Sequence, residues 1–233
     1  EVLENKICQY FDLLEEYNQE CFGGKLSIIL LGSLSRSEGT WAIQDEKPYL
    51  LSDIEYFTIV PDDFTYYNKF NEALETSKGI VFKGFNSSLF HIDNSYLRRS
   101  DLSVMEKKLL TFDASKFGKI VLGEDVLKLL PEISIDNINP FDIHNILIHR
   151  VFSVLYYGRP LKQANQLDQY KYCLAKNSLD LMTVILFENG ILESGFINRY
   201  NAIEKLNIEQ RIKDYFGFCL ALKLNEVPYQ KFS

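Results

Sequence analysis

The 233-residue chain is 46% hydrophobic and carries a formal charge of −7 without a basic block. That suits a unit with real cores and excludes a long electrostatic footprint on duplex nucleic acid, so a small polar substrate or a protein acceptor fits better. Four well-separated cysteines, Cys8, Cys21, Cys173 and Cys219, exclude a zinc knuckle or a dense disulfide framework and read as free thiols.

In chain order, residues 2–20 have helical spacing, with Ile7, Phe11, Leu14 and Tyr17 on one side, and Gly23-Gly24 breaks the pattern. Leu26-Ser27-Ile28-Ile29-Leu30-Leu31 predicts a buried strand that feeds a Gly32-Ser33 turn. Leu34 to Glu38 predicts a short helix or turn, and 39–49 a loop or small hairpin. A second strand over 53–60 ends at Pro61-Asp62-Asp63, which signals a helix over 62–77. Strand material follows over 79–97, clearest in Ser88-Leu89-Phe90-His91-Ile92-Asp93. A mixed segment over 100–122 closes in a short edge strand near Gly118 to Gly123.

From Glu124 onward the pattern is helical, with helices near 124–130, 140–157, 164–189, 193–206 and 208–223. Strands interleaved with helices, followed by helices alone, predict an α/β (α+β) fold: a mixed sheet with flanking helices and then an all-helical C-terminal lobe. The boundary falls within Pro131 to Pro140, giving domains 1–132 and 133–233. No apolar run reaches the roughly 18 residues of a membrane span. The N-terminal residues lack the order of a signal peptide, so a cytoplasmic protein is expected. His144 and His149, five apart, fall on different faces of a helix, which disfavours a helical metal pair.

The chemistry concentrates between residues 31 and 55. Leu31-Gly32-Ser33-Leu34-Ser35-Arg36 is followed by Leu51-Ser52-Asp53-Ile54-Glu55. Side chains alternate along a strand, so Asp53 and Glu55 share a face. Two carboxylates on a rigid strand beside a small-residue turn can hold Mg²⁺ and a polyphosphate together.

This order of strand, Gly32-Ser33, Arg36 and Ser52-Asp53-Ile54-Glu55 resembles the DNA polymerase β-like nucleotidyltransferase superfamily. Its wording is most similar to that of the aminoglycoside (kanamycin-type) nucleotidyltransferases. The resemblance covers about residues 26–60, more loosely to 97, and implies a nucleotidyltransferase-type sheet. It implies that Gly32 and Ser33 bind nucleotide phosphates and that Asp53 and Glu55 coordinate Mg²⁺. Asp93 is the match for a third carboxylate, binding a second metal or deprotonating the acceptor hydroxyl. Asn94 and Ser95 follow it where apolar residues are the rule. The 20-residue interval from Ser33 to Asp53 implies an insertion near the site's rim.

Arg36 contacts a phosphate or caps the short helix; both readings stand. Lys176 is implied as a helical clamp on the β- or γ-phosphate, with Lys162 the weaker alternative. Arg98-Arg99 reads as a solvated pair that could reach a nucleotide. Tyr156, Tyr157 and Tyr170 read as core packing rather than base stacking, and His91 as either near the site or structural. The general base is Asp93 or a helical carboxylate such as Asp142 or Glu188.

The expected activity is Mg²⁺-dependent transfer of a nucleoside monophosphate from a nucleoside triphosphate to a hydroxyl of a sugar or aminoglycoside-like acceptor, with release of pyrophosphate. The alternatives are antitoxin-type AMP transfer to a protein, a catalytically silent binding module on the same fold, and synthesis or tailing of an oligonucleotide. Neither a long nucleic acid nor a membrane is an expected partner, and a homodimer is compatible with the sequence.

Overall fold

The computed structural model describes residues 2–44, 47–83, 91–157 and 164–226. Helix α1 (Val2–Phe22) leads into β1 (Ser27–Leu30), the one-turn helix α2 (Gly32–Ser35) and a hairpin of β2 (Trp41–Gln44) and β3 (Lys47–Leu50). Strand β4 (Ile54–Val60), α3 (Tyr67–Val81), β5 (Ile92–Arg98), α4 (Leu109–Phe117) and β6 (Lys119–Leu122) complete the first half. Four helices follow: α5 (Pro140–Tyr157), α6 (Ala164–Glu188), α7 (Phe196–Ile203) and α8 (Gln210–Lys223).

The main sheet has the order β5-β4-β1-β6. β1 runs antiparallel to both β4 and β6, whereas β4 and β5 are parallel. The sheet is therefore mixed, as the sequence predicts, and β6 is an edge strand, with β5 at the opposite edge. β1 is buried throughout because both faces of the sheet are covered. Ile28 and Leu30 join a core with Tyr10, Leu14, Phe22, Phe70 and Leu74 of α1 and α3. Ile29 and Leu31 turn to the opposite face, against Leu102, Ala114 and Val126. A strand covered twice reads as an unbroken apolar run. Asn18 fixes the entry to β1: its amide nitrogen donates to the Leu26 carbonyl (3.2 Å) and its oxygen accepts from the Leu26 N–H (3.1 Å).

The C-terminal helices have their own core, with Tyr172, Ala175, Leu179, Met182 and Leu186 of α6 spaced three or four apart. Apolar contacts tie the helices to the first half. Leu51, just before the acid pair, is buried among these helical side chains. Phe112 of α4 packs with Ile133, Ile138, Ile143 and Val184. No helix among the described residues is long and apolar enough to cross a membrane.

Several element boundaries move. The helix expected from 62 begins at Tyr67, because Pro61 to Phe64 forms a turn (Phe64 N to Pro61 O, 3.0 Å). Asp62 does not cap that helix; its carboxylate accepts from the Ser100 N–H at 3.1 Å. The same helix runs on to Val81, so the strand expected from 79 begins at Ile92; residues 84–90, which hold its Ser88-Leu89-Phe90 part, lie outside the described residues. The helix expected over 124–130 is a single 3-10 turn, Leu127–Leu129. α7 is shorter than 193–206, and α4 was hidden in the mixed segment. The expected hairpin at 39–49 is β2–β3. Tyr156 is exposed rather than packed in a core, and Lys162 and the side chain of Tyr157 lie outside the described residues.

Candidate active site

Gly32 has φ +66°, a conformation that L side chains rarely adopt. A Cβ there would overlap the Glu55 carboxylate. The position therefore requires glycine twice, once for the backbone and once for the acid beneath it. The turn is pinned over β4 by the Leu31 N–H, which donates to the Glu55 carbonyl at 2.8 Å.

Asp53 precedes β4 and Glu55 lies within it, and the parallel register pairs Glu55 with Asp93 of β5. As a result, Asp53, Glu55 and Asp93 each place an oxygen within 4.8 Å of the others. Burial is the main cause that pushes the Glu55 carboxyl above its usual range; Asp53 and Asp93 add to the rise, opposed by Lys176 and Arg36. Three hard oxygen donors, two of them half-buried, suit Mg²⁺ rather than a softer metal.

Gly32, Ser33, Arg36, Asp53, Glu55 and Lys176 line one cleft of about 150 Å³. Gly32, Ser33, Arg36 and Lys176, expected at the nucleotide, thus meet the acid pair. Lys176 faces the acids from α6. Its ammonium is held above its usual range by the Tyr172 phenol first, against the opposing effect of burial, and then by Asp180, Asp53 and Glu55. Burial raises the pKa of Tyr172 itself.

Arg36 is committed within the protein. Its Nε donates to Glu38 at 2.8 Å, and its Nη1 lies 3.5 Å from Asp113. Asp113 also accepts from Arg199 Nη2 at 3.1 Å with each oxygen, and from the Ser194 hydroxyl. Glu38 accepts in addition from the Ile197 N–H at 3.1 Å. This buried cluster joins α2, α4 and α7 at the cleft wall. Arg150 and Asp180 form a further ion pair at 2.7 Å.

The remaining candidates lie elsewhere. Arg98 and Arg99 are exposed at the far end of β5, and Arg99 pairs with Glu124 at 2.7 Å. Asp142 accepts from the Leu109 N–H at 2.8 Å, and Glu188 pairs with exposed His144 at 2.9 Å. The side chain of His91 is exposed, and its carbonyl accepts from the Ile54 N–H at 2.9 Å.

Six charged residues of the cleft region were not anticipated: Glu38, Asp113, Arg150, Asp180, Arg199 and Lys223. One signal was available, since Tyr172, Lys176 and Asp180 recur every fourth residue on α6 and so share a helix face. The others come from separate elements. Three larger cavities, of about 510, 450 and 270 Å³, bring no more than one carboxylate each to their walls.

No family model matches the chain, and no curated protein matches it. A crystal structure of a spectinomycin adenyltransferase from Enterococcus faecialis, with ATP and spectinomycin, is similar over 95% of this chain and 99% of that chain. The two share 13% sequence identity with a TM-score of 0.43.

Proposed function

We propose that the chain is a Mg²⁺-dependent nucleotidyltransferase that moves a nucleoside monophosphate from a nucleoside triphosphate to a hydroxyl of a small sugar or aminoglycoside-like acceptor, with release of pyrophosphate. The observation that carries this reading is the convergence of Asp53, Glu55 and Asp93 below the Gly32 turn and opposite Lys176.

The three carboxylates would hold Mg²⁺. When bound, the ion would offset the charge of the triphosphate and stabilise charge developing during transfer. The Ser33 hydroxyl would donate to a phosphate oxygen, with no side chain at Gly32 to obstruct the approach. Lys176, whose ammonium form is favoured by Tyr172 and then by the acids around it, would hold the terminal phosphates and favour the departing pyrophosphate. Arg36 is assigned to the cleft wall, where it supports the phosphate side with its charge while bonded to Glu38. Asp93, the most exposed acid of the three, is assigned to the acceptor side as the group that takes the hydroxyl proton.

The cleft is smaller than the roughly 300–1,000 Å³ of a complete small-molecule site. This supports enclosure of the phosphates, with sugar, base and acceptor lying towards its mouth. The division into a catalytic domain, 1–132, and a helical domain, 133–233, belongs to the same reading, with the helical part supplying Lys176.

The test is calorimetric titration of ATP, GTP, CTP and UTP, with Mg²⁺ and with chelator, into wild type and Asp53→Asn. Mg²⁺-dependent binding of at least one nucleotide, lost in the variant, is the expected result. Absence of binding by all four, or binding indifferent to both metal and Asp53, would refute the assignment.

A further inference from the structure

Lys223 is the last residue of α8 and is fully buried. Its Nζ donates to Thr40 Oγ1 at 2.8 Å and to Ser52 Oγ at 3.1 Å. Thr40 in turn donates its hydroxyl to the Lys223 carbonyl (2.7 Å) and its N–H to Ser52 Oγ (2.8 Å). Ser52 immediately precedes Asp53 and also bonds the Tyr172 hydroxyl, one helical turn before Lys176. A connected path therefore runs from the end of α8 to the loop that carries the first acid and to Tyr172.

The ammonium has two hydroxyl partners and no ion pair among the described residues. It lies over the rings of Tyr172 (5.3 Å) and Phe196 (5.9 Å). The charged groups facing it are Lys176 and Asp180 from α6 and Arg36 and Glu38 from the segment after α2. Both carboxylates are already engaged, Glu38 with Arg36 and the Ile197 N–H, and Asp180 with Arg150. The cleft that Lys223 borders is lined by five cations, Arg36, Arg150, Lys176, Arg199 and Lys223, and by four carboxylates, Asp53, Glu55, Asp113 and Asp180, with Asp93 beside them as a fifth; none of the five pairs with Lys223. A buried cation that lacks its own anion is costly, and an anionic ligand in the cleft supplies what is missing.

We propose that Lys223 is a positioning residue that takes up a proton from solvent when a triphosphate group fills the cleft, so that nucleotide affinity depends on pH. Resting on the nucleotide-binding reading of the site, this adds a residue that acts through Ser52 and Tyr172 without touching the ligand. In the free protein, burial first and Lys176 second lower the pKa of Lys223 to about 7, so the amine and ammonium forms coexist near neutrality. The added negative charge favours the ammonium, which then holds Ser52 and the Asp53 loop by a charge-assisted bond.

The test is calorimetry with inorganic triphosphate and Mg²⁺, at pH 7.5, in buffers of low and high ionisation enthalpy (Pipes and Tris). Wild type is expected to take up on the order of half a proton or more per triphosphate bound, and to lose affinity about tenfold between pH 7 and 8.5. Lys223→Met should bind without this uptake and with a flatter pH profile. Should that variant fold poorly, Thr40→Val removes one acceptor of the ammonium and should move the uptake to lower pH. Binding by wild type without uptake, uptake unchanged in Lys223→Met, or an unmoved window in Thr40→Val would overturn the proposal alone. Failure of Mg²⁺-triphosphate to bind at all would overturn the nucleotide reading with it.

Discussion

Lys223→Met should change stability with a sign that depends on pH. A lysine whose pKa falls from 10.5 to about 7 on folding, at about 1.4 kcal/mol per pH unit, costs the native state about 5 kcal/mol wherever both states are protonated. That full cost applies below pH 7. Between pH 7 and 10.5 the unfolded chain binds a proton that the native state does not, so wild-type stability rises with pH. Methionine replaces the lysine stem at similar volume and forfeits two hydrogen bonds, worth about 1 kcal/mol each. Ser52 and Thr40 keep other partners, because the Thr40 N–H still meets Ser52 and the Thr40 hydroxyl still meets the carbonyl of residue 223. The variant should therefore be more stable than wild type by about 3 kcal/mol at pH 6, nearly equal to it at pH 9, and less stable at pH 10. Urea unfolding of both proteins at those values, in metal-free buffer, measures the difference directly. A difference that does not vary with pH would show that Lys223 is not a titrating buried amine.

Two further substitutions probe the site's construction. Gly32→Ala places a Cβ against the Glu55 carboxylate at φ +66°. It should cost about 1–2 kcal/mol of backbone strain and weaken Mn²⁺ or Mg²⁺ binding at least tenfold; unchanged metal affinity in a titration would dissociate the turn from the triad. Asp113→Asn leaves the buried Arg36 guanidinium with Glu38 as its remaining carboxylate and the Arg199 guanidinium with no ion pair among the described residues. A loss of about 3–5 kcal/mol in denaturant unfolding is expected, and a loss below about 1 kcal/mol would mean that the cluster is solvated in solution.

The parts of this structure that were legible in the sequence are those whose cause is local. The doubly covered β1 shows as an unbroken apolar run, and Gly32 and Asp53-Ile54-Glu55 show through turn chemistry and strand alternation. Asp93 was nameable as an acid in a strand, but its arrival beside Glu55 depends on a parallel register that no local pattern encodes. Pro61-Asp62-Asp63 carries helix-start chemistry, yet the tertiary bond from Asp62 to Ser100 claims that chemistry for a turn. Lys223 is the sharpest case. It ends an apolar helix, Phe216-Gly217-Phe218-Cys219-Leu220-Ala221-Leu222, where a cation ordinarily meets the helix dipole in water. Here the hairpin base folds over it, through Thr40 and Ser52, 183 and 171 residues away in the chain.

Charge at the cleft also sets the order in which its ligands support one another. Arg36 and Arg199 share Asp113, Arg36 also pairs with Glu38, and Arg150 is matched by Asp180. That leaves Lys176 facing Asp53 and Glu55, and Lys223 with no ion pair among the described residues. With a divalent cation held by those acids, their charge is largely spent, and the two lysines are left without a counter-charge inside the protein. A triphosphate restores the balance, while without the metal it would meet the bare carboxylates. Metal and nucleotide should therefore each raise the affinity of the other, and by thermodynamic linkage by the same factor. Substituting Lys176 should diminish that coupling more than substituting Ser33, since the serine contributes a hydrogen bond and no charge to the balance.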